Sequence, residues 1–172
     1  MIRIRPVSSD RELARAFAIR VRVFVKEQGV PEQIELDRDD RRAIHFLALT
    51  PAGAAAGTAR LVRRGRSIKI GRMAVLKTQR RKGVGKKLLM RAIATAKKLG
   101  AEKIYLHAQV PVIGFYERLG FRAVGPVFEE AAIPHRKMIY KGEGAKRLGQ
   151  APQDMETARK RGRSGTEGVG AR

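Results

Sequence analysis

The sequence predicts a mixed α/β domain whose sheet begins as an antiparallel meander and contains one central parallel β-α-β joint. Three apolar stretches lie between residues 43 and 76 and are separated only by tight turns, which is typical of a meander. An amphipathic helix pattern follows over residues 84–99, and a further strand pattern follows at 103–108. Two strands joined through a helix run parallel with a right-handed connection, so the joint is expected there.

The N-terminal half begins with a strand and a helix. Ile2 and Ile4 alternate with arginines, which predicts a short first strand. Ser9 and Glu12 have the spacing of a capping box, which predicts that a helix starts there and runs over about residues 10–25. Residues 32–42 carry five acidic side chains and predict a loop with at most a short helical turn. The meander strands are predicted at 43–49, 57–62 and 67–76.

The C-terminal half continues the alternation of helix and strand. The helix over 84–99 has its apolar residues on one half of the wheel and its lysines and Arg91 on the other, and Gly100 is placed to cap it. A short helix is predicted from Pro111 to Gly120, with Phe121 packing back on Tyr116. Two last strands, FRAVG and HRKMIYK, complete a single domain over 1–141, and residues 142–172 are predicted to be a basic, disordered tail.

Composition narrows the function classes. The chain of 172 residues has 38 Lys and Arg against 16 Asp and Glu, a formal net charge of +22, which favours an anionic partner. It has no cysteine, which excludes a disulfide framework and a zinc–thiolate site, and we expect no metal. No segment has the roughly 20 apolar residues of a membrane helix, so a cytoplasmic protein without a membrane partner is expected.

Residues 80–89, RRKGVGKKLL, place two glycines in the most basic segment of the chain. A Walker loop would need glycine at position 80 and Ser or Thr at 87, where the chain has Arg80 and Lys87. A dinucleotide fingerprint would need glycine at position 88, where the chain has Leu88. Both familiar phosphate loops are therefore excluded.

A more general phosphate site fits the same segment. A helix start leaves about four N–H groups without partners, and the helix dipole adds positive potential there. Gly83 and Gly85 would let an anion approach the backbone, and four cations lie nearby in sequence, namely Arg80, Arg81, Lys82 and Lys86. The alternative is a first turn that is merely basic and exposed, but positive charge opposes the dipole, so we favour a pyrophosphate site.

The pattern Arg80-x-x-Gly83-x-Gly85, after a strand and before an amphipathic helix, resembles the acyl-CoA-binding motif of the GNAT superfamily of N-acetyltransferases. The resemblance extends over about 140 residues. Within the superfamily, the chain is similar to a bacterial subgroup usually described only as GNAT acetyltransferases. Other segments that carry it are VFVKEQGVP (23–31), IYLHAQ (104–109), GFYERLGF (114–121) and FEEAAIPHRKM (128–138). The tail after 141 has no counterpart in that pattern.

The resemblance implies a fold, a co-substrate and a set of contacts. The parallel strands around 70–76 and 103–108 would splay apart, and acetyl-CoA would enter between them. The N–H group of Val75 would stabilise the oxyanion formed from the thioester. The resemblance implies these cofactor-binding residues: Met73, Ala74, Val75, Arg80, Arg81, Lys82, Gly83, Val84, Gly85, Lys86, Phe115 and Tyr116.

Candidates for proton transfer also follow from the resemblance. Tyr116 matches the family's usual tyrosine acid, although an aromatic on a short helix can simply belong to the core. His107 and Glu27 are candidates for the general base, against a packed histidine and a surface carboxylate. His135 is expected either to line the acceptor pocket or to be inert. Many relatives have an asparagine after the strand at 103–108, and Gln109 stands there with Ala108, which weakens that one correspondence.

Several alternatives stay open. A nucleic-acid-binding module would use the charge, although the chain has only nine aromatic residues and lacks a stacking pattern. An acyl-CoA-binding protein without catalysis would keep only the pyrophosphate site. The acceptor is a small-molecule amine or a peptide or protein amine, and the acids at 32–40 either attract it or offset nearby arginines. Both a monomer and a homodimer are compatible with the sequence.

Overall fold

The computed structural model describes residues 1–142, so the predicted tail lies outside the described residues apart from Gly142. The helices are α1 (Asp10–Arg20), α2 (Glu32–Glu35), α3 (Val84–Lys98) and α4 (Ile113–Glu117). The strands are β1 (Arg3–Pro6), β2 (Ile44–Leu49), β3 (Ala55–Arg64), β4 (Ser67–Val75), β5 (Lys103–Gln109), β6 (Phe121–Glu130) and β7 (Ile133–Tyr140). The mixed α/β prediction is confirmed.

The described strands form one seven-stranded sheet in the order β1-β2-β3-β4-β5-β7-β6. All neighbours are antiparallel except β4 and β5, which run parallel on either side of the α3 crossover. The meander and the single parallel joint are therefore where the sequence predicted them. The order places β7 between β5 and β6, so the last hairpin folds back against the centre of the sheet.

The parallel pair separates after a short common stretch. Its register runs from Ser67 opposite Lys103 to Ile70 opposite Leu106 and then stops. Beyond that point β4 pairs only with β3, and β5 pairs only with β7. A register shift between Thr58 and Arg60 marks a bulge in the β3–β4 pairing at the same level. This irregularity bends β4 away from β5 and opens the sheet.

Two apolar layers hold the sheet. On one face α3 buries Leu88, Leu89 and Ala92 against side chains of β2, β4 and β5. On the other face α1 buries Ala16 and Ile19 against Leu47, Leu49 and Ala74. Helix α3 approaches β3 closely, since a Cβ on Gly57 would lie 2.9 Å from the Ala74 carbonyl oxygen and 3.0 Å from Leu88. Glycine at position 57 therefore sets the helix–sheet distance.

Several element boundaries differ from the sequence predictions, among them β3, which is longer than predicted, and α4, which is shorter. The first helix was expected to be regular to about residue 25, but after Arg20 it continues as a π-helix over Val21–Glu27. The last two strands are longer than FRAVG and HRKMIYK, because β6 continues beyond an irregular segment between Val124 and Phe128. Gly125 and Pro126 in that segment indicate a strand end, yet they form a bulge that the hairpin accommodates.

Three local predictions are confirmed. Ser9 caps α1 by accepting a hydrogen bond from the Glu12 N–H group at 3.3 Å, which confirms the helix start, whereas the Glu12 carboxylate accepts from the Ser8 N–H group and does not complete a capping box. The ring of Phe121 packs edge-on against Tyr116, with centroids 6.0 Å apart, as expected for the end of the short helix. The acidic segment 32–42 has only the short helix α2 and a 3₁₀ turn over Arg38–Arg41.

Candidate active site

A cleft of about 860 Å³ opens where β4 and β5 separate. One end lies at the start of α3, where the cleft is lined by Gly83, Gly85 and Lys86. The other end lies at the β6–β7 hairpin, and it is lined by His107, Glu130 and His135. Backbone and side chains of the splayed part of β4 form the wall between them. One continuous cleft therefore connects a helix N-terminus, which can bind an anion, to a group of titratable side chains.

The start of α3 presents unpaired backbone donors. Gly83 is the N-cap with φ of 76°, and no side chain caps the helix. Arg81 also has positive φ, at 60°, so the preceding loop turns sharply before the helix. None of the N–H groups of residues 81–86 donates a hydrogen bond to an acceptor within residues 1–142. Residues 81–83 and 86 are exposed, so their donors are accessible to an anion as well as to water, and a helix start of this kind binds anions.

The cations around this turn divide into two groups. Arg80 is engaged, since its Nε donates to the Val75 carbonyl oxygen at 2.9 Å and its Nη2 donates to Glu27 at 2.5 Å. Arg81 and Lys86 line the cleft and have no ion pair within residues 1–142, and Lys82 is exposed beside them. The free positive charge at the helix start therefore comes from three side chains, while Arg80 braces the loop against β4.

The splayed part of β4 turns one backbone donor towards the cleft. The N–H group of Leu76 donates to the Ala56 carbonyl oxygen at 3.0 Å, so residue 76 faces β3. Backbone groups of successive strand residues point in opposite directions, so the N–H group of Val75 points away from β3 and into the gap. The hydrogen bond from Arg80 to the Val75 carbonyl oxygen agrees with this direction.

Tyr116 lies on α4 and lines the same cleft. Its ring packs edge-on against Phe115 and Phe121, and the side chain is partly buried against the apolar core between α3 and the sheet. Burial raises the pKa of Tyr116 to about 12. The phenol is therefore protonated at any ordinary assay pH, and its hydroxyl is available as a hydrogen-bond donor.

The far end of the cleft contains two histidines and a carboxylate. His107 Nδ1 lies 2.9 Å from Glu130 Oε2, and this hydrogen bond holds the pKa of Glu130 at about 2. His135 is buried, and its Nδ1 donates to the Ile133 carbonyl oxygen at 2.6 Å. The expectation that His135 lines the pocket agrees with its position, since it forms part of the cleft wall.

Comparison with known proteins identifies the family to which this chain belongs. A family model described as an acetyltransferase (GNAT) domain matches residues 6–141. A Bacillus subtilis protein provisionally named as an acetyltransferase is 34% identical over 145 residues, which are 83% of this chain and 98% of that protein. The chain belongs to the GNAT acetyltransferase family.

Solved GNAT-like structures share the fold over nearly their whole length. The crystal structure of Escherichia coli ElaA superposes with a TM-score of 0.73 at 28% identity and covers 82% of this chain and 100% of that chain. An acyl-CoA N-acyltransferase from Pseudomonas aeruginosa superposes with a TM-score of 0.71 at 30% identity and covers 81% of this chain and 98% of that one. Residues 1–142 of this GNAT chain include no helix long and apolar enough to cross a membrane.

The GNAT cleft brings together most of the residues predicted from the sequence. Of the fourteen distinct candidates, twelve line it, namely Met73, Ala74, Val75, Arg80, Arg81, Gly83, Val84, Gly85, Lys86, His107, Phe115 and Tyr116. Glu27 and Lys82 do not line it. The carboxylate of Glu27 forms an ion pair with Arg80. Within residues 1–142, no three His, Asp or Glu side chains meet as a metal site would require.

A buried ion network lies behind the wall of the cleft beside α2, and its members Glu35 and Arg72 line the cleft. Arg20 is fully buried and donates to Glu35 and Asp40, both at 2.7 Å. Arg60 bonds the carboxylates of Asp37 and Asp40, and Arg72 bonds those of Glu35 and Asp37. Burial raises the pKa of Glu35 despite these partners. Of the two interpretations of the acids at 32–40, the structure favours charge compensation of arginines.

The sequence alone did not predict that arginines support this side of the cleft. Arg20 occupies a position in the apolar repeat of α1, and a charged residue at such a position signals a buried partner. Arg72 has φ of 50° at the bulge in β4, and its side chain donates to the carbonyl oxygens of Ile34 and Glu35. The bulge residue therefore ties α2 to the sheet and fixes one side of the cleft.

Proposed function

We propose that this GNAT protein transfers an acetyl group from acetyl-CoA to an acceptor amine while both substrates are bound. The observation that carries the proposal is the continuous cleft. It joins the unpaired N–H groups of residues 81–86, the inward-facing N–H group of Val75 and the side chain of His107. Each of these groups suits a different part of the reaction, and their order along the cleft is the order that the reaction needs.

The residues present fit an acyl-CoA. The diphosphate would be held by the N–H groups of residues 81–86, with Arg81, Lys82 and Lys86 adding charge. The amide-bearing arm would lie along the splayed part of β4, whose backbone lacks a partner on that side. The name of the Pseudomonas aeruginosa relative, an acyl-CoA N-acyltransferase, supports the choice of co-substrate. When bound, acetyl-CoA supplies an activated acyl group on sulfur.

The reaction involves two proton transfers, one from the attacking amine and one to the leaving thiolate. An amine is nucleophilic only when neutral, so its proton must pass to a base as the C–N bond forms. We assign that role to His107, which lines the hairpin end of the cleft. The C–S bond then breaks and the leaving thiolate needs a partner. The Val75 N–H group is directed into the gap, where it would stabilise negative charge on the acyl oxygen.

Tyr116 acts on the leaving thiolate as a hydrogen-bond donor. Its pKa of about 12 lies well above a thiol pKa of about 8.5, so complete proton transfer to the thiolate would cost about 5 kcal/mol. A donated hydrogen bond stabilises the thiolate without that cost. The net proton on the thiol then comes from water or from the proton that the amine released.

The test is thiol release from acetyl-CoA in the presence of a panel of amines, which reports turnover, together with calorimetric binding of CoA, which reports the cleft alone. We expect CoA binding and amine-dependent thiol release. CoA binding without release on any amine would indicate an acyl-CoA-binding protein, and absence of both would refute the proposal.

A second candidate function is nucleic-acid binding, and the exposed face of α3 favours it. The helix carries Lys86, Lys87, Arg91, Lys97 and Lys98 and no acidic residue, and none of the five forms an ion pair within the described chain. Such a face can bind a phosphate backbone without reading sequence. Binding of a random oligonucleotide whose affinity falls steeply with salt would support this function, and its absence would remove it.

A further inference from the structure

We propose that Glu130 is a positioning residue, which fixes the tautomer and orientation of His107 so that Nε2 of that ring accepts the proton of the acceptor amine. The inference rests on the proposed function and adds a residue to it. It comes from the geometry at the hairpin end of the cleft, where both side chains form part of the wall.

The hydrogen bond between the two side chains determines the tautomer. Glu130 Oε2 and His107 Nδ1 are 2.9 Å apart, and an ionised carboxylate can only accept. Nδ1 must therefore carry the hydrogen, which leaves the lone pair of the neutral ring on Nε2. Nε2 has no hydrogen-bond partner within residues 1–142. A free acceptor nitrogen on the cleft wall is what a base for an incoming amine requires.

Ring contacts restrict His107 in the same orientation. Phe128 packs edge-on against the imidazole with centroids 4.9 Å apart, and Tyr105 lies 6.0 Å away on the same strand. The strand register places these side chains on one face of the sheet. His135 of β7 pairs with Gln109 of β5 on one side and with Phe128 of β6 on the other, and residues two apart along a strand, such as His107 and Gln109, share a face. The imidazole is therefore held between an aromatic ring and a carboxylate, both from β6.

The β6–β7 turn holds the carboxylate in place. Glu130 is the last residue of β6 and pairs with Ile133, and the two residues between them are Ala131 and Ala132. Both alanines have positive φ, of 54° and 58°. A turn of this kind favours Asn and Gly, so each alanine is strained. Strain of this kind persists where the surrounding structure enforces it, and here it fixes the end of β6 at the cleft.

Other charged and titratable groups surround the pair. Glu130 also faces Lys69 of β4, with Oε1 and Nζ 3.8 Å apart. The remaining groups that face His107 are Tyr105 on its own strand and His135 and Lys137 on β7. Lys137 is opposite His107 in register, but its Nζ lies over the Tyr105 ring, 4.8 Å from the centroid. Within residues 1–142, Glu130 is therefore the carboxylate that contacts the His107 ring.

The test compares Glu130→Gln with Glu129→Gln. Glu129 is the adjacent carboxylate, is exposed and points to the opposite face of β6, so its variant controls for charge alone. For Glu130→Gln we expect kcat to fall about tenfold with the KM for acetyl-CoA unchanged, because the base loses its orientation while the cofactor contacts stay intact. The control variant should keep the wild-type kcat and KM.

A second measurement does not depend on any variant folding. Nitrogen-15 NMR of wild-type protein should show neutral His107 as the Nδ1–H tautomer. A neutral ring protonated on Nε2, or a kcat for Glu130→Gln equal to that of wild type, would overturn the inference. Absence of turnover by wild-type protein would instead overturn the proposed function, so the two failures are distinguishable.

Discussion

Substitution of Gly85 by aspartate should remove most of the affinity for CoA without unfolding the protein. A Cβ at this position would lie 3.6 Å from Phe115, 3.8 Å from Val75 and 3.9 Å from Met73, which are ordinary contact distances. Gly85 is also within the first turn of α3, where its conformation suits any residue. The fold therefore tolerates a side chain here, and the effect of aspartate on binding is electrostatic.

The size of the effect follows from Coulomb's law. A carboxylate at residue 85 would lie about 5 Å from a diphosphate on the neighbouring N–H groups, and two unit charges repel by about 3 kcal/mol at an effective dielectric constant near 20. Solvent and salt screen part of this repulsion, which leaves about 2 kcal/mol, or roughly a 30-fold loss of affinity. The diphosphate carries more than one charge, so this figure is a lower limit.

Isothermal titration with CoA at two salt concentrations measures the loss. Gly85→Asn is the matched control, because it has nearly the same shape without the charge. We expect Gly85→Asp to bind at least about 30-fold more weakly than Gly85→Asn, with a smaller difference at high salt. Equal affinities for the two variants would refute the placement of the diphosphate at the start of α3.

Further predictions concern catalysis and stability. Tyr116→Phe should lower kcat by about 10²-fold or more in the thiol-release assay while CoA affinity changes little, because the proposed role of the hydroxyl is to donate a hydrogen bond to the leaving thiolate; a full rate would remove Tyr116 from the mechanism. Burial alone would raise the pKa of Asp40, but hydrogen bonds from Arg20 and Arg60 hold it at about 2. The stability that Asp40 contributes is therefore present above about pH 4 and lost as the pH falls towards 2. Asp40→Asn should cost about 2 kcal/mol in urea unfolding at pH 7 and much less near pH 2, and an equal cost at both pH values would contradict this origin.

The sequence predicted the order and type of the elements because hydrophobic periodicity and turn residues are local signals. Helix α3 and the strands around it follow directly from the spacing of their apolar residues. The position of β7 between β5 and β6 has no such signal, since pairing partners are chosen by the whole sheet. The length of β6 was underestimated because Gly125 and Pro126 form a bulge where a strand end was expected.

The candidate site likewise has one part that local sequence signals predict and one part that depends on the whole sheet. The turn proposed to bind the diphosphate is contiguous in sequence, so its glycines and cations could be identified together. His107 and Glu130 are 23 residues apart and meet only because the last hairpin returns to the centre of the sheet. Glu130 was therefore not among the predicted residues, although its segment was noted. Arg80 was expected to contact the cofactor, and in the structure it is engaged by Glu27 and the Val75 carbonyl oxygen.

A crystal structure of the protein with CoA tests the central claim most directly. The account predicts diphosphate oxygens about 3 Å from backbone nitrogens of residues 81–86, with the thiol end in the gap between β4 and β5, close to Val75 and Tyr116. CoA bound at another surface, with the start of α3 contacting only solvent, would contradict the account.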